Sequence, residues 1–224
     1  MTAMIYPTTN PAAAEQMMVT RGEGPYIFDQ HGKRYLEGMA GLWCTALGYG
    51  NEEIIEVAQQ QMRDLSFSHM FGGKTHAAAI ELADKLAAMV PMSDGRVFLG
   101  NSGSDANDTL MKLIRYHAEA SGQPNRIKVI AREQGYHGVT LASAALTAIP
   151  TNHTHFQLPF EALGVLRTGS ANYYRGGHDG ESESDFVARR AQELEALILA
   201  EGPDTIAAMI AEPVSGAGGV IVPP

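Results

Sequence analysis

Three short segments carry residue types that could handle a small anionic or aromatic ligand. The first is Gly100-Asn101-Ser102-Gly103-Ser104-Asp105-Ala106-Asn107. Small residues ahead of a helix leave backbone N–H groups open to an anion and let a phosphate come close. Serine hydroxyls add donors. The segment lacks the Gly-Lys-Ser/Thr of a nucleoside-triphosphate loop and the G-x-G-x-x-G of a dinucleotide fold. Taken alone it reads equally well as an ordinary capped helix, with Ser102 and Asp105 as a capping-box-like pair. The second segment is Gly135-Tyr136-His137-Gly138, whose tyrosine or histidine could stack on an aromatic cofactor. As a structural feature it is a turn packed on a helix. The third is Ala211-Glu212-Pro213-Val214. An acid directly after an apolar strand needs a partner, either a ligand or another residue. Standing alone it reads as a turn carboxylate.

The elements around these segments decide whether they meet. Arg96 to Leu99 reads as a short strand, with a helix starting near Ser104. Residues 126 to 131, RIKVIA, read as a second strand, followed by the GYHG turn and a helix over 138–147. DTIAAMIAEPV reads as a third strand, behind the helix SDFVARRAQELEALILAEG. All three polar segments therefore follow strands, where ligands sit in α/β sheets. Strands separated by helices predict βαβ units and helices packed on a mainly parallel sheet. Upstream, residues 25 to 37 read as a β-hairpin around Asp29-Gln30-His31-Gly32. A small-residue stretch with the single tryptophan, Trp43, follows it. Asn51 caps a helix over NEEIIEVAQQQMRDL, and a second helix follows Thr75 and stops before Pro91. Residues 150 to 184 read as irregular, long enough to suggest a functional loop.

Composition narrows the function classes. The net charge of −9 and the absence of a local Lys/Arg cluster argue against nucleic acid and anionic membranes. One cysteine, Cys44, rules out an internal disulfide framework and a multi-cysteine zinc site. No secretory pattern opens the chain, and no apolar run reaches membrane-spanning length. The expectation is a soluble, cytoplasmic protein. His153-x-His155 reads as a polar loop with no metal site. Cys44 reads as a small packed residue, and the methionines as core. Tyr173-Tyr174-Arg175 reads as packing.

Taken together, MAGLWCTALGYGN, FLGNSGSDANDTLMKL, GYHG, YYRGGHDGESESDF, GPDTIAAMIAEPV and SGAGGVIVPP resemble the class III (ω-) aminotransferases of pyridoxal-phosphate (PLP) fold type I. The match runs in the family's order from about Gly22 to the last residue. The resemblance implies an α/β fold, with residues 1–50 a segment of the small domain and 51–224 an incomplete PLP-binding large domain. It implies that Ser102, Gly103 and Ser104 bind the PLP phosphate. It places Tyr136 on the pyridine ring with His137 beside it, and Glu212 near the ring's hydroxyl side, positioning active-site groups. Trp43 would line the substrate pocket. Phe71 and Gly72 would reach the partner subunit's site in a homodimer. The implied reaction moves an amino group from an amine donor to an α-keto acid acceptor, pyruvate by similarity to the pyruvate-dependent members. A mutase or lyase of the same family, or a non-catalytic PLP-binding fragment, are the alternatives. No lysine among Lys33, Lys74, Lys85, Lys112 and Lys128 occupies the family's Schiff-base motif, and the ring-nitrogen aspartate is also unmatched. The chain stops just after a strand, so the expectation is a truncated protein, inactive alone.

Overall fold

A computed structural model describes residues 3–7, 9–10, 12 and 16–224. The chain divides into two compact units, Met1–Val97 and Phe98–Pro224.

The first unit is built on a three-stranded antiparallel sheet in the order β1-β2-β3, from Val19–Glu23, Tyr26–Asp29 and Arg34–Leu36. The expected hairpin is β2 and β3, in register Ile27↔Tyr35. Its turn is fixed by Asp29, whose Oδ1 accepts from the amides of His31 (2.8 Å) and Lys33 (2.9 Å). The Tyr35 hydroxyl donates to Oδ2 at 2.8 Å. β1 escapes sequence reading because its residues are nearly all exposed, so no apolar alternation marks it. Helices Glu52–Leu65 and Ala77–Met89 follow. Asn51 caps the first through the Ile54 amide at 3.1 Å. The second is capped by His76, one residue past the expected Thr75: Nδ1 accepts from the Ala79 amide at 3.3 Å. The expected strand at Arg96–Leu99 is not formed. A strand exists only through its ladder, and no strand of the structure pairs with these residues.

The second unit holds a parallel sheet in the order β5-β4-β6, from Val165–Thr168, Lys128–Arg132 and Ile206–Ile210. β4 is central, and Val129, Ile130 and Ala131 are each buried. Strand alternation puts Val129 and Ala131 on one face, where they pack with Met111, Ala145, Leu146 and Val165. These residues tie helices Gly103–Ala120 and Leu141–Leu146 to the sheet. Helix Glu183–Glu201 makes the connection from β5 to β6 and buries Phe186. Two expectations are corrected. Residues 150–184 are not uniformly irregular: they contain β5, short helices Phe160–Leu163 and Tyr173–Gly176, and a 3₁₀ turn at Pro150–Asn152. The methionines are not mainly core; among the described residues only Met111 is buried, since the apolar sides of the first unit's helices have little packed against them.

Candidate cofactor site

The site assembles where β4 and β6 end and the Gly103 helix begins. Ser102 is the helix N-cap: its Oγ accepts from the Asp105 amide at 3.1 Å. The Asp105 carboxylate reaches back to the Asn101 amide at 3.0 Å. The capped-helix reading is thus realised, and it shapes the cup. The Ser102 hydroxyl is spent on the Asp105 amide and the Asp105 carboxylate on the Asn101 amide, while no acceptor among the described residues takes the amides of Gly103 or Ser104. Those two donors, with the positive end of an 18-residue helix behind them, are suited to a phosphate.

The loop after β4 is bonded to this cup. Ser104 Oγ accepts from the Val139 amide at 3.0 Å, which leaves its own O–H to donate. Asn107 Nδ2 donates to the His137 carbonyl at 2.7 Å. Gly138 lies at φ +124°, and a side chain there would meet Ser143 Oγ at 2.5 Å and Ser104 Oγ at 2.6 Å. Only glycine lets loop and helix approach this closely. The Thr147 hydroxyl accepts from the His137 amide (2.8 Å) and donates to the Gly138 carbonyl (3.0 Å). The helix at Leu141 is held by Asp108, whose Oδ1 accepts from Thr140 Oγ1 (2.7 Å) and the Ser143 amide (3.0 Å). Its far end is held by Arg167 on β5, which donates to the carbonyls of Leu146 and Thr147 at 2.7 Å and to that of Ala145.

Glu212 closes the arrangement from β6. Oε1 accepts from the Tyr136 amide and Oε2 from the Gly216 amide, both at 2.9 Å. One carboxylate therefore locks the tyrosine loop to the turn after β6. Tyr136 is 39% exposed. His137 is buried, and its Nε2 has no hydrogen-bond partner among the described residues. Burial pushes its imidazole below the ordinary histidine range; Glu212 opposes this and Arg167 adds to it. A buried imidazole nitrogen without a partner among the described residues is the kind of group that a ligand or water satisfies.

Sequence reasoning included Asn107 in the first segment without giving it a role, and missed Asp108, Thr147 and Arg167. Asn107 and Asp108 were signalled only by two adjacent polar residues just after the cup. Thr147 and Arg167 carried no signal, because their partners are set by tertiary packing. The structure bears on three other readings, those of His153, Tyr173-Tyr174 and Cys44. His153 is not a loose polar residue: Nε2 bonds the carbonyls of Thr147 (2.7 Å) and Ala144 (3.1 Å). Among the described residues no three His, Cys, Asp or Glu converge on a metal position. Tyr173 packs edge-on against Phe186 at 5.4 Å, whereas Tyr174 is 91% exposed. Cys44 is exposed rather than packed.

The remaining sequence candidates belong to the first unit. Trp43 ends a tight turn and is 60% exposed. Phe71 is exposed and opens a turn closed by the Lys74 amide on its carbonyl at 3.4 Å. Gly72 takes the left-handed conformation that turn needs, at φ +64°.

An α/β unit with an anion-ready helix terminus and an aromatic loop at its strand ends defines a phosphate-cofactor binding class. Comparison with known proteins names it more closely. The family description "Aminotransferase class-III" matches residues 8–224, and the chain belongs to that family. The probable gamma-aminobutyrate transaminase 2, mitochondrial, of Oryza sativa subsp. indica is 47% identical over 211 residues, covering 94% of this chain and 42% of that protein. The ω-transaminase from Pseudomonas jessenii, solved in complex with PMP, is 49% identical with a TM-score of 0.95, covering 99% of this chain and 49% of that one. A tryptophan-to-glycine variant of a thermostable ω-transaminase, engineered for asymmetric synthesis of enantiopure bulky amines, matches with the same identity, TM-score and coverage. The chain spans less than half the length of these relatives. Class III aminotransferases use PLP. The free Gly103 and Ser104 amides, the exposed Tyr136 and the unclaimed His137 nitrogen suit a phosphorylated pyridine.

Proposed function

We propose that this chain forms the cofactor-binding part of a PLP-dependent aminotransferase that moves an amino group from an amine or amino acid to an α-keto acid, with pyruvate as acceptor. The observation that carries the reading is the bonded assembly of cup, loop and strand end through Val139–Ser104, Asn107–His137 and Glu212–Tyr136.

When bound, PLP supplies the electron sink for breaking the substrate's Cα–H bond. The protein's part is to hold and orient. The Gly103 and Ser104 amides and the Ser104 hydroxyl would take the phosphate. Ser102 keeps the cup in shape. Tyr136 would stack on the ring, with His137 beside it. Glu212 acts through Tyr136: both oxygens already bind backbone amides, so it positions the stacking loop. Trp43 forms a wall of the amine pocket, a role supported by the bulky-amine variant made by removing a tryptophan. Phe71 and Gly72 face the partner's site in a homodimer.

The anchoring lysine and the acid that pairs with the ring nitrogen are supplied from outside these 224 residues. In the second unit Lys128 Nζ is engaged by the Glu201 carboxylate (2.8 Å) and carbonyl (3.0 Å). Lys112 is exposed, nine residues along the helix from Gly103 and so about 13 Å from its start. The test compares this chain with one extended by its downstream reading frame, each given PLP, pyruvate and an amine donor. The extended protein forms alanine; the 224-residue chain does not. Alanine formation by the short chain, or borohydride fixing PLP to one specific lysine in it, would overturn this reading.

A further inference from the structure

The segment between β3 and the Glu52 helix stores backbone strain that the proposed chemistry does not explain. Ala40, Gly41, Leu42 and Trp43 have φ of 46°, 61°, 58° and 67°. Gly41 and Leu42 have ψ of 39° and 51°, at the centre of the left-handed helical region. L residues enter that region singly, at a cost, and rarely in runs. Three of these four are not glycine. The turn is closed by the Trp43 amide on the Met39 carbonyl (2.8 Å) and by the Cys44 (2.9 Å) and Thr45 (2.8 Å) amides on the Ala40 carbonyl.

One side chain holds its entry. Glu37 Oε1 accepts from the Met39 amide at 3.1 Å, and Oε2 accepts from the Gly41 amide. Both carboxylate oxygens are thus committed to the amides on either side of Ala40. Bonds from N–H to a carboxylate are among the stronger ones. The turn is also tightly filled at Gly41, where a side chain would meet Thr45 Oγ1 at 2.8 Å. Trp43, which leaves the turn, is 60% exposed, so burial does not fix where its indole stands.

We propose that Glu37 is a positioning residue for substrate recognition: its carboxylate clamps the left-handed turn and so fixes where the Trp43 indole stands. The proposal rests on the reading of Trp43 as a wall of the amine pocket. Strain of this kind persists only where neighbouring contacts over-determine it, and it gathers at ligand sites.

Trp43 is the single tryptophan, so its fluorescence reports this turn alone. In the 224-residue chain, Glu37→Ala should speed amide exchange at Gly41 at least tenfold and lower the Trp43 anisotropy, with exchange in β2 unchanged. Glu37→Gln should fall between, because its amide keeps one acceptor oxygen. Unchanged Gly41 exchange and anisotropy in a folded Glu37→Ala chain would overturn the clamp. If that variant loses β2 protection, the unsubstituted chain decides: Gly41 and Met39 amides exchanging as fast as a free peptide would overturn it. A second arm uses the protein extended by its downstream reading frame and compares kcat/KM for a compact and a bulky amine. Trp43→Ala should shift the ratio at least tenfold and Glu37→Gln in the same direction by less, with PLP content unchanged. A ratio moved by Trp43→Ala but not by Glu37→Gln refutes the positioning role. A ratio moved by neither refutes the pocket reading, while the exchange data still judge the clamp.

Discussion

Glu212 carries more of the site than its position after a strand reveals. It is the acceptor for two backbone amides from different parts of the chain, Tyr136 and Gly216. The Tyr136 bond is exposed and the Gly216 bond half-buried, so each is worth about 0.5–1.5 kcal/mol net. Glu212→Ala should therefore lower the urea midpoint clearly, while Glu212→Gln, which keeps one acceptor, should lower it less. His137 adds a pH dependence. Its folded-state imidazole is pushed below the ordinary 6.5, first by burial and then by Arg167, with Glu212 opposing. The unfolded chain thus binds this proton more readily than the folded one. Stability from this group is full above the ordinary range and falls as pH drops through it. His137→Asn should flatten that part of the urea-midpoint profile between pH 7.5 and 5.5. At this scale the Tyr136 loop and Glu212 were legible as strand-end residues of an α/β sheet, whereas the strand expected ahead of Ser102 is not formed. The supports were not legible: Asn107 meets His137 and Asp108 meets Ser143 across gaps of 30 and 35 residues.

The elements were legible where a local rule marks them. Asn51 and Ser102 each cap a helix through a side-chain oxygen, whereas Ser182, the cap of the Glu183 helix, lies two residues before the expected start at Ser184. β5 was lost because only Val165 of its four residues is buried, leaving the flanking Gly164 and Gly169 as its one signal. Arg96–Leu99 misled because strand-like residues do not supply their own partner. Two predictions belong here. Gly138→Ala forces a side chain into the hydroxyls of Ser143 and Ser104 at positive φ. It should cost about 1–3 kcal/mol and weaken PLP binding, read by calorimetry. The Glu183 helix is tied to the preceding loop by Arg189, which donates to both Glu181 oxygens at 2.7 Å. That hydrogen bonding, chiefly from Arg189, outweighs burial and lowers the Glu181 carboxyl to about 2 from 4.5. A depressed carboxyl stabilises above its ordinary range and ceases to as pH falls through its folded value. Helical circular dichroism should drop between pH 4.5 and 2, and Glu181→Gln should remove that portion of the transition.

At the scale of the molecule, the family was legible because its motifs are contiguous and ordered along nearly the whole chain. What covers the first unit's apolar residues was not. No residue of the Glu52–Leu65 helix is buried, although Ile54, Ile55, Met62 and Leu65 lie along it. Apolar surface of this kind marks association. The 224-residue chain should sediment above its monomer mass of 24.0 kDa, and Ile55→Lys with Met62→Lys should reduce that without loss of helix signal. The central claim is that the Gly103 helix terminus and the Tyr136 loop form a cofactor cup within this chain. Titration with pyridoxamine phosphate, which has no aldehyde to react with stray lysines, tests it by NMR. The account predicts saturable 1:1 binding that shifts the Gly103 and Ser104 amides and is weakened by Ser104→Ala. Binding that leaves those amides unmoved, or no binding at all by a folded chain, would contradict it.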